Sequence, residues 1–488
     1  MQFIRPLAVL ALIVGLAACE TPTAQTPIDI SASRASGARD SIDESSWDTN
    51  GNSIVCIKRV PASGNASSKA GERIIAKDDD GNGVCPGGFA PERIAQAADI
   101  ATGALHACMV DSEGIAWCWG RNSDGQLGTP VVTESTVPVR VETQVRFKEI
   151  DAGRLHTCAL SVEGVVYCWG DNRGGQLGDG TTVSRPVPIP VLGAGTFETL
   201  DAGPVHTCAI APNGVAHCWG ANDWRAGGRF GGLGSVTSET CHDPSYLADY
   251  EIPCSTAPRP VDTSLRFESI SAGFLDTCAM ATDGEAYCWG WDQWHQGGDG
   301  SSVTGPVPTA VATPPDLVTI VAGTVTTCGL DQTGSAFCWG TWPIYFGQTG
   351  YGEIRRGEAT PTPVVGGHKF SWVGSSDAND IFQFTCGIDE NGNAWCRGSN
   401  SFGQLGTDDP MSDSCTAFGR SDGCTAVPVL VEGGLTWDKI EPGREYACGL
   451  ATGGVPYCWG WNSAGNLGDG TKTDHTLPAP VLLPWNAD

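Results

Sequence analysis

The sequence predicts an all-β fold, a seven-bladed β-propeller of four-stranded antiparallel blades stapled by disulfides. Three observations predict it. Two cysteines ten positions apart recur seven times, at Cys108/Cys118, Cys158/Cys168, Cys208/Cys218, Cys278/Cys288, Cys328/Cys338, Cys386/Cys396 and Cys448/Cys458. A glycine stands four residues before the second cysteine of every pair, from Gly114 in the first copy to Gly454 in the last. Successive first cysteines lie 50, 50, 70, 50, 58 and 62 residues apart. A unit of about fifty residues with four short strands is the size of one propeller blade, and seven such units fit a closed ring.

The second copy shows the elements in order. Phe147-Lys148-Glu149-Ile150 and Thr157-Cys158-Ala159-Leu160 are apolar-bearing runs too short for helices. Val165-Val166-Tyr167-Cys168-Trp169 is β-branched and aromatic, the composition strands prefer. If Cys158 faces Cys168 directly, the connection between these strands has an odd length, most simply Val162-Glu163-Gly164. A three-residue hairpin needs a left-handed residue at its end, and glycine stands there in every copy. Directly opposed non-hydrogen-bonded positions bring Cα atoms to roughly 4.5 Å, within disulfide reach. The alternative is reduced cysteine used as buried filler, which the pairing and the expected compartment oppose. A Gly-rich turn, Gly175-Gln176-Leu177-Gly178, then leads to Pro186-Val187-Pro188-Ile189-Pro190-Val191. Each proline lacks a ladder donor, so this last strand belongs at the outer edge.

The run from Gly153-Arg154-Leu155-His156-Thr157-Cys158 through Trp169-Gly170-Asp171-Asn172 to Gly175-Gln176-Leu177-Gly178 resembles the repeat of the regulator of chromosome condensation family. The resemblance extends over residues 92 to 484, and Gly125-Gln126-Leu127-Gly128 and Gly403-Gln404-Leu405-Gly406 repeat its tetrapeptide unchanged. It implies a seven-bladed propeller of the bacterial secreted or lipoprotein type. It does not fix a function, because members of one fold do different things. Secreted relatives include an inhibitor of β-lactamases, so an inhibitor-like interaction module is one reading that the resemblance implies.

The chain opens with Arg5, an apolar stretch from Leu7 to Ala18, and Leu16-Ala17-Ala18-Cys19. The stretch is too short to span a bilayer and reads as a signal peptide. Small residues before Cys19 resemble the bacterial lipobox, in which that cysteine is lipidated; cleavage after Ala18 with Cys19 incidental is the plainer alternative. The expected organisation is a leader at 1–18, a flexible tether at 19–50 rich in Ser, Thr, Ala and Pro, a small disulfide-linked segment at 51–91, and the propeller at 92–488.

With Cys19 set aside, the other twenty of the 21 cysteines find local partners. Fourteen are the hairpin pairs, and Cys56/Cys85, Cys241/Cys254 and Cys415/Cys424 complete them. Complete pairing predicts an oxidising, extracytoplasmic compartment, such as a bacterial envelope with the outer membrane as anchor. The formal net charge of −27 repels nucleic acid and anionic membrane, leaving lipid as the sole membrane contact. A monomer is expected.

Candidate chemistry is sparse. His106, His156 and His206 recur at one repeat position, but Asp276, Thr326, Phe384 and Tyr446 occupy it elsewhere, so these histidines read as structural. Asp78, Asp80 and Asn82, with Gly83, match the start of a calcium loop. Its twelfth position is Phe89 rather than a carboxylate, and a solvated acidic turn is the simpler reading. No other cofactor is indicated. The chain shows no nucleophile-elbow or paired-histidine motif, and no enzyme activity is expected.

Length changes collect in connections that a four-stranded meander places on one rim: Asp223 to Thr256, Thr341 to Ala359, Thr407 to Thr425 and Ser375 to Asp380. They carry Trp224, Phe230, Tyr246, Tyr250, Trp342, Tyr345, Phe346 and Tyr351 beside arginines, a composition that suits a binding surface. Packing of these rings onto their own blades is the competing reading. The function expected is a rigid protein-binding scaffold; carbohydrate or cell-wall binding by the aromatic rim is the alternative, and an enzyme at the channel mouth the third.

Overall fold

In the computed structural model the chain divides into two compact units, residues 1–94 and 95–488. The structure describes residues 96–483 apart from 194, 224–230, 243–250, 313–315, 341–348, 351–357, 377–382, 410–412 and 418–419. Backbone alone is described for 413–417, 420–422 and four strands of the first unit. Those four form an antiparallel sheet in the order Ile28–Asp29, Glu72–Asp78, Ile54–Pro61, Ala90–Arg93. Ile28–Asp29 falls inside the expected tether; a two-residue strand needs only a free backbone edge, so composition does not reveal it.

The second unit is the seven-bladed propeller, all of its regular structure among the described residues being strand. Blade two consists of Phe147–Ala152, His156–Ser161, Val166–Gly170 and Arg185–Pro190, paired in that order. The first strands touch one another in a closed circle from Ala97–Thr102 round to Trp437–Pro442 and back, so they surround the axis. The proline-rich fourth strands form the outside, as their missing donors require.

The cysteine hairpins have the expected geometry. Cys158 faces Cys168 in register, Ser161 N–H donates to the Val165 carbonyl, and Gly164 has φ of +84°. Hydrogen-bonded and non-hydrogen-bonded pairs alternate, so the bonded 161/165 pair puts 158/168 at a non-hydrogen-bonded site, where side chains lie close. The same direct opposition recurs in every blade, and each pair is bonded. Cys108 is joined to Cys118, Cys158 to Cys168, Cys208 to Cys218 and Cys278 to Cys288. Cys328 is joined to Cys338, Cys386 to Cys396 and Cys448 to Cys458. The seven Cα–Cα distances are 4.0 to 4.1 Å.

Blades three and six carry a fifth strand that the repeat alone does not predict. In blade three, Glu239–His242 pairs with the first half of the long fourth strand Glu251–Pro260. The other half holds Pro258 and Pro260 and remains an edge. Cys254 faces Glu239 while Cys241 faces Ile252, so the bridge between them is diagonal and its Cα atoms stand 5.8 Å apart. The same offset recurs in blade six, where Cys424 faces Asp413 and Cys415 faces Asp422. Cys424 is disulfide-bonded; the side chains of Cys415, Cys56 and Cys85 lie outside the described residues.

Adjacent blades are joined by a repeated bond. The indole Nε1 of Trp169 donates to the Gln126 carbonyl of the preceding blade at 2.9 Å, and Trp219 does the same to Gln176. Trp119 closes the circle by donating to the Asn466 carbonyl of blade seven at 2.9 Å. These tryptophans are fully buried, as core residues should be. In blade six Arg397 stands in place of the tryptophan, buried, with Nη2 2.8 Å from Cys338 Sγ of blade five.

Among the described residues each blade is built from one continuous stretch, and none combines strands from both ends. The seam between blades seven and one is therefore held by contacts rather than by a shared sheet. Ala97 N–H donates to the Gly454 carbonyl at 2.9 Å and Gly470 N–H to the Thr136 carbonyl at 2.8 Å. Lys439 Nζ reaches Asp99 at 2.7 Å across the seam.

Candidate functional site

The ring has two different rims. The first-to-second and third-to-fourth connections meet on one, as the Asp171 N–H bond to the Leu155 carbonyl shows in blade two. The hairpin turns and blade-to-blade connections meet on the other, joined by bonds such as Phe197 N–H to the Gly164 carbonyl at 2.7 Å. The four length changes all lie in connections of the first rim. The eight aromatics Trp224, Phe230, Tyr246, Tyr250, Trp342, Tyr345, Phe346 and Tyr351 lie outside the described residues. So do Cys19, Asp80, Asn82 and the side chain of Asp78.

The cysteines of the blade hairpins stand apart from either rim. Cys118, Cys218, Cys396 and Cys458, like their partners Cys108, Cys208, Cys386 and Cys448, are wholly buried within the blades. Their sulfurs are already bonded and out of reach of solvent, so they hold the scaffold and take no part in recognition or redox exchange at the surface.

What the structure does place on the first rim is a set of valines. Val131, Val183, Val236 and Val303 sit in the third-to-fourth connections of blades one to four and are 56% to 78% exposed. Scattered exposed valines need no explanation. Four in the same connection of four consecutive blades form a pattern on one edge of the molecule. A β-branched residue in each of these turns was the signal available in the sequence.

Just beneath this rim a buried polar relay ties blade to blade. His106 Nε2 lies 2.9 Å from Thr157 Oγ1, and that hydroxyl donates to the Gln126 carbonyl at 3.0 Å. With its proton committed, the hydroxyl must accept from the imidazole, so Nε2 carries the hydrogen. His156 with Thr207 and His206 with Thr277 repeat the arrangement. Burial pushes the three imidazoles down to about 3, 3 and 4. The histidines are structural, linking neighbouring blades. Among the described residues no group of acidic, histidine or cysteine side chains could hold a metal ion.

Blade four breaks the relay. Asp276 occupies the histidine position, is buried, and neither of its carboxylate oxygens has a hydrogen-bond partner. The nearby backbone N–H groups of Leu275 and Asp276 favour its charged form. Burial first, and then the charge of Asp292, push its pKa well above the usual carboxylate range. Asp292 accepts from Gly297 N–H at 2.7 Å, and burial raises it to about 6.

A second charged cluster surrounds the axis, and the repeat pattern alone does not reveal it. Asp99 accepts from Ile150 N–H, Glu149 from Thr199 Oγ1, Asp151 from Ala202 N–H and Asp201 from Ala272 N–H, each pairing a first strand with the next blade. Lys439 bridges Asp99 and Glu441. Burial raises Asp151 to about 6 and Glu441 to about 7, and the lysine opposes both shifts. These carboxylates hold blades together; alternation of acidic and apolar residues, as in Glu149-Ile150-Asp151, is their one mark in the sequence.

Comparison with known proteins agrees with this architecture. The regulator of chromosome condensation (RCC1) repeat model matches residues 113–160 and 163–210, and a second model of that repeat matches 97–126, 147–176 and 382–404. The chain carries RCC1 repeats. It is 26% identical over 218 residues to the ultraviolet-B receptor UVR8 of Arabidopsis thaliana, covering 44% of this chain and 46% of UVR8. It is 32% identical over 143 residues to the human E3 ubiquitin-protein ligase HERC2, covering 27% of this chain and 3% of HERC2. The chain thus spans less than half the length of either relative. Prp20p of Saccharomyces cerevisiae superposes with a TM-score of 0.63 at 18% identity, covering 81% of this chain and 89% of the other. Likeness at that identity speaks for the fold alone.

Proposed function

We propose that this RCC1-repeat propeller is an extracytoplasmic, lipid-anchored platform that binds another protein through the rim of first-to-second and third-to-fourth connections, without catalysis of its own. The observation that carries the reading is the coincidence on one rim of four exposed valines and all four length changes. A platform locked by a covalent bridge in every blade loses little conformational freedom when a partner docks. Prp20p, of the same fold, has binding properties towards Gsp1p and histones. The acidic charge of the present chain favours a partner with a basic face. Anchoring rests on Leu16-Ala17-Ala18-Cys19, and export on the bonded cysteines.

The test is site-specific photo-cross-linking from the rim in intact envelopes, with Val131 and Val236 replaced by a photoreactive residue and Val162, on the opposite rim, as control. Reproducible capture of one protein from both rim positions, abolished by Val183→Asp, supports the platform. Equal capture from Val162, or binding to a glycan array with no protein captured, overturns it.

A further inference from the structure

Beside Asp276 lies a cavity of about 180 Å³, lined among others by Asp276, Asp292 and Asp299, by Trp291, and by Val303 and Val307. Its two valines are 78% and 63% exposed, so it opens outward next to the valine arc, whereas Asp276 is 1% exposed and forms an inner wall. We propose that this cavity receives the side chain of a lysine or arginine presented by the protein that docks on the rim, an inference that rests on the platform reading above.

The chemistry of the walls selects the occupant. Three carboxylates line the cavity, and one of them is buried with two unpartnered oxygens. A buried acceptor without a donor carries a desolvation cost that an entering N–H group removes, most effectively a charged one. A bare metal ion is a poor match, because the described acidic groups do not converge closely enough to ligate one. An organic cation carries several N–H donors on one flexible side chain and can reach separated carboxylates in turn. Exposed valines at the mouth match the apolar surface that surrounds a basic anchor in a protein, which a free amine would lack.

Binding should displace a proton. Burial and the neighbouring Asp292 keep Asp276 protonated above the normal carboxylate range, and a cation alongside reverses that preference. Asp299 also lines the site, and the charges of Asp299 and His295 act on Asp292. The fourth strand contributes only Gly305, Val307 and Thr309.

The full-length oxidised protein is titrated calorimetrically with N-acetyl-arginine amide and its neutral isostere N-acetyl-citrulline amide, in buffers of differing ionisation enthalpy. Saturable binding of the arginine compound alone, with proton release and at least tenfold weakening in Asp276→Asn, is the expected result. Thr326 and Tyr446 at the equivalent position show that a neutral residue fits the fold; Asp292→Asn serves as the second variant. Indistinguishable binding of the two compounds, or affinity unchanged in both variants, overturns the inference. The partner assay separates the two readings. Rim cross-links that survive Asp276→Asn but not Val183→Asp leave the platform standing and sink the pocket; cross-links lost in both variants support both.

Discussion

His106, His156 and His206 are neutral because protonation inside the wall would cost more than their hydroxyl partners return. The unfolded chain takes up protons near the ordinary pKa of 6.5, whereas the folded imidazole of His156 does so near 3. Its contribution is therefore fully present above about pH 6.5 and is lost as pH falls towards the folded value. At pH 5 the loss is about 2 kcal/mol for one such residue. His156→Gln should be less stable than the parent at pH 7, with the gap narrowing by that amount at pH 5 in denaturant titrations. Asp276 has the opposite sign. Its raised pKa means that the folded state resists ionisation, so stability falls as pH rises through and above 3.8. Asp276→Asn should melt higher than the parent at pH 7 and together with it at pH 3. Either outcome reversed would mean the side chain has a partner not accounted for by its surroundings.

At the scale of single elements, local chemistry made the blade legible. The hairpin was readable because an odd loop, a terminal glycine and opposed cysteines are all set within eleven residues, and Gly164 takes its left-handed φ at the end of that loop. Gly170 answers to a further constraint. It too has positive φ, +103°, and a Cβ there would lie 2.6 Å from the Leu155 carbonyl oxygen. Gly164→Ala should cost about 1–2 kcal/mol for its left-handed backbone. Gly170→Ala should cost more, because its clash is with backbone that cannot swing aside; thermal melting of the two variants ranks them. The fifth strands of blades three and six escaped notice because Glu239–His242 and Asp413–Ala417 have no repeat counterpart to be read against. Cys241 and Cys254 did mark the place, since their diagonal bridge is what ties the added strand to the fourth.

Across the whole molecule, what could not be read was everything that depends on the ring being closed. Asp99 and Lys439 are 340 residues apart in sequence and touch only because blade seven meets blade one. Asp276 looked like one more lapse in a histidine series, and its cavity exists only where three separate segments of blade four converge. The seam offers a direct measurement. Lys439 compensates Asp99 and Glu441, and Glu441 ionises in the folded state near 7. Lys439→Met should lower the melting temperature, and by more at pH 8 than at pH 6, since in the parent the lysine pairs with an ionised Glu441 mainly at the higher pH. Equal loss at both values would assign the lysine a packing role instead.

Because no blade among the described residues borrows a strand from the far end of the polypeptide, the circle has no privileged starting point. A circular permutant that links residue 483 to residue 96 and opens the chain near Gly193 should form the same seven bridges and melt in one transition. In such a ring, which wedge is synthesised first is an accident of ancestry, and shuffling or duplicating whole wedges becomes an available route to new partners.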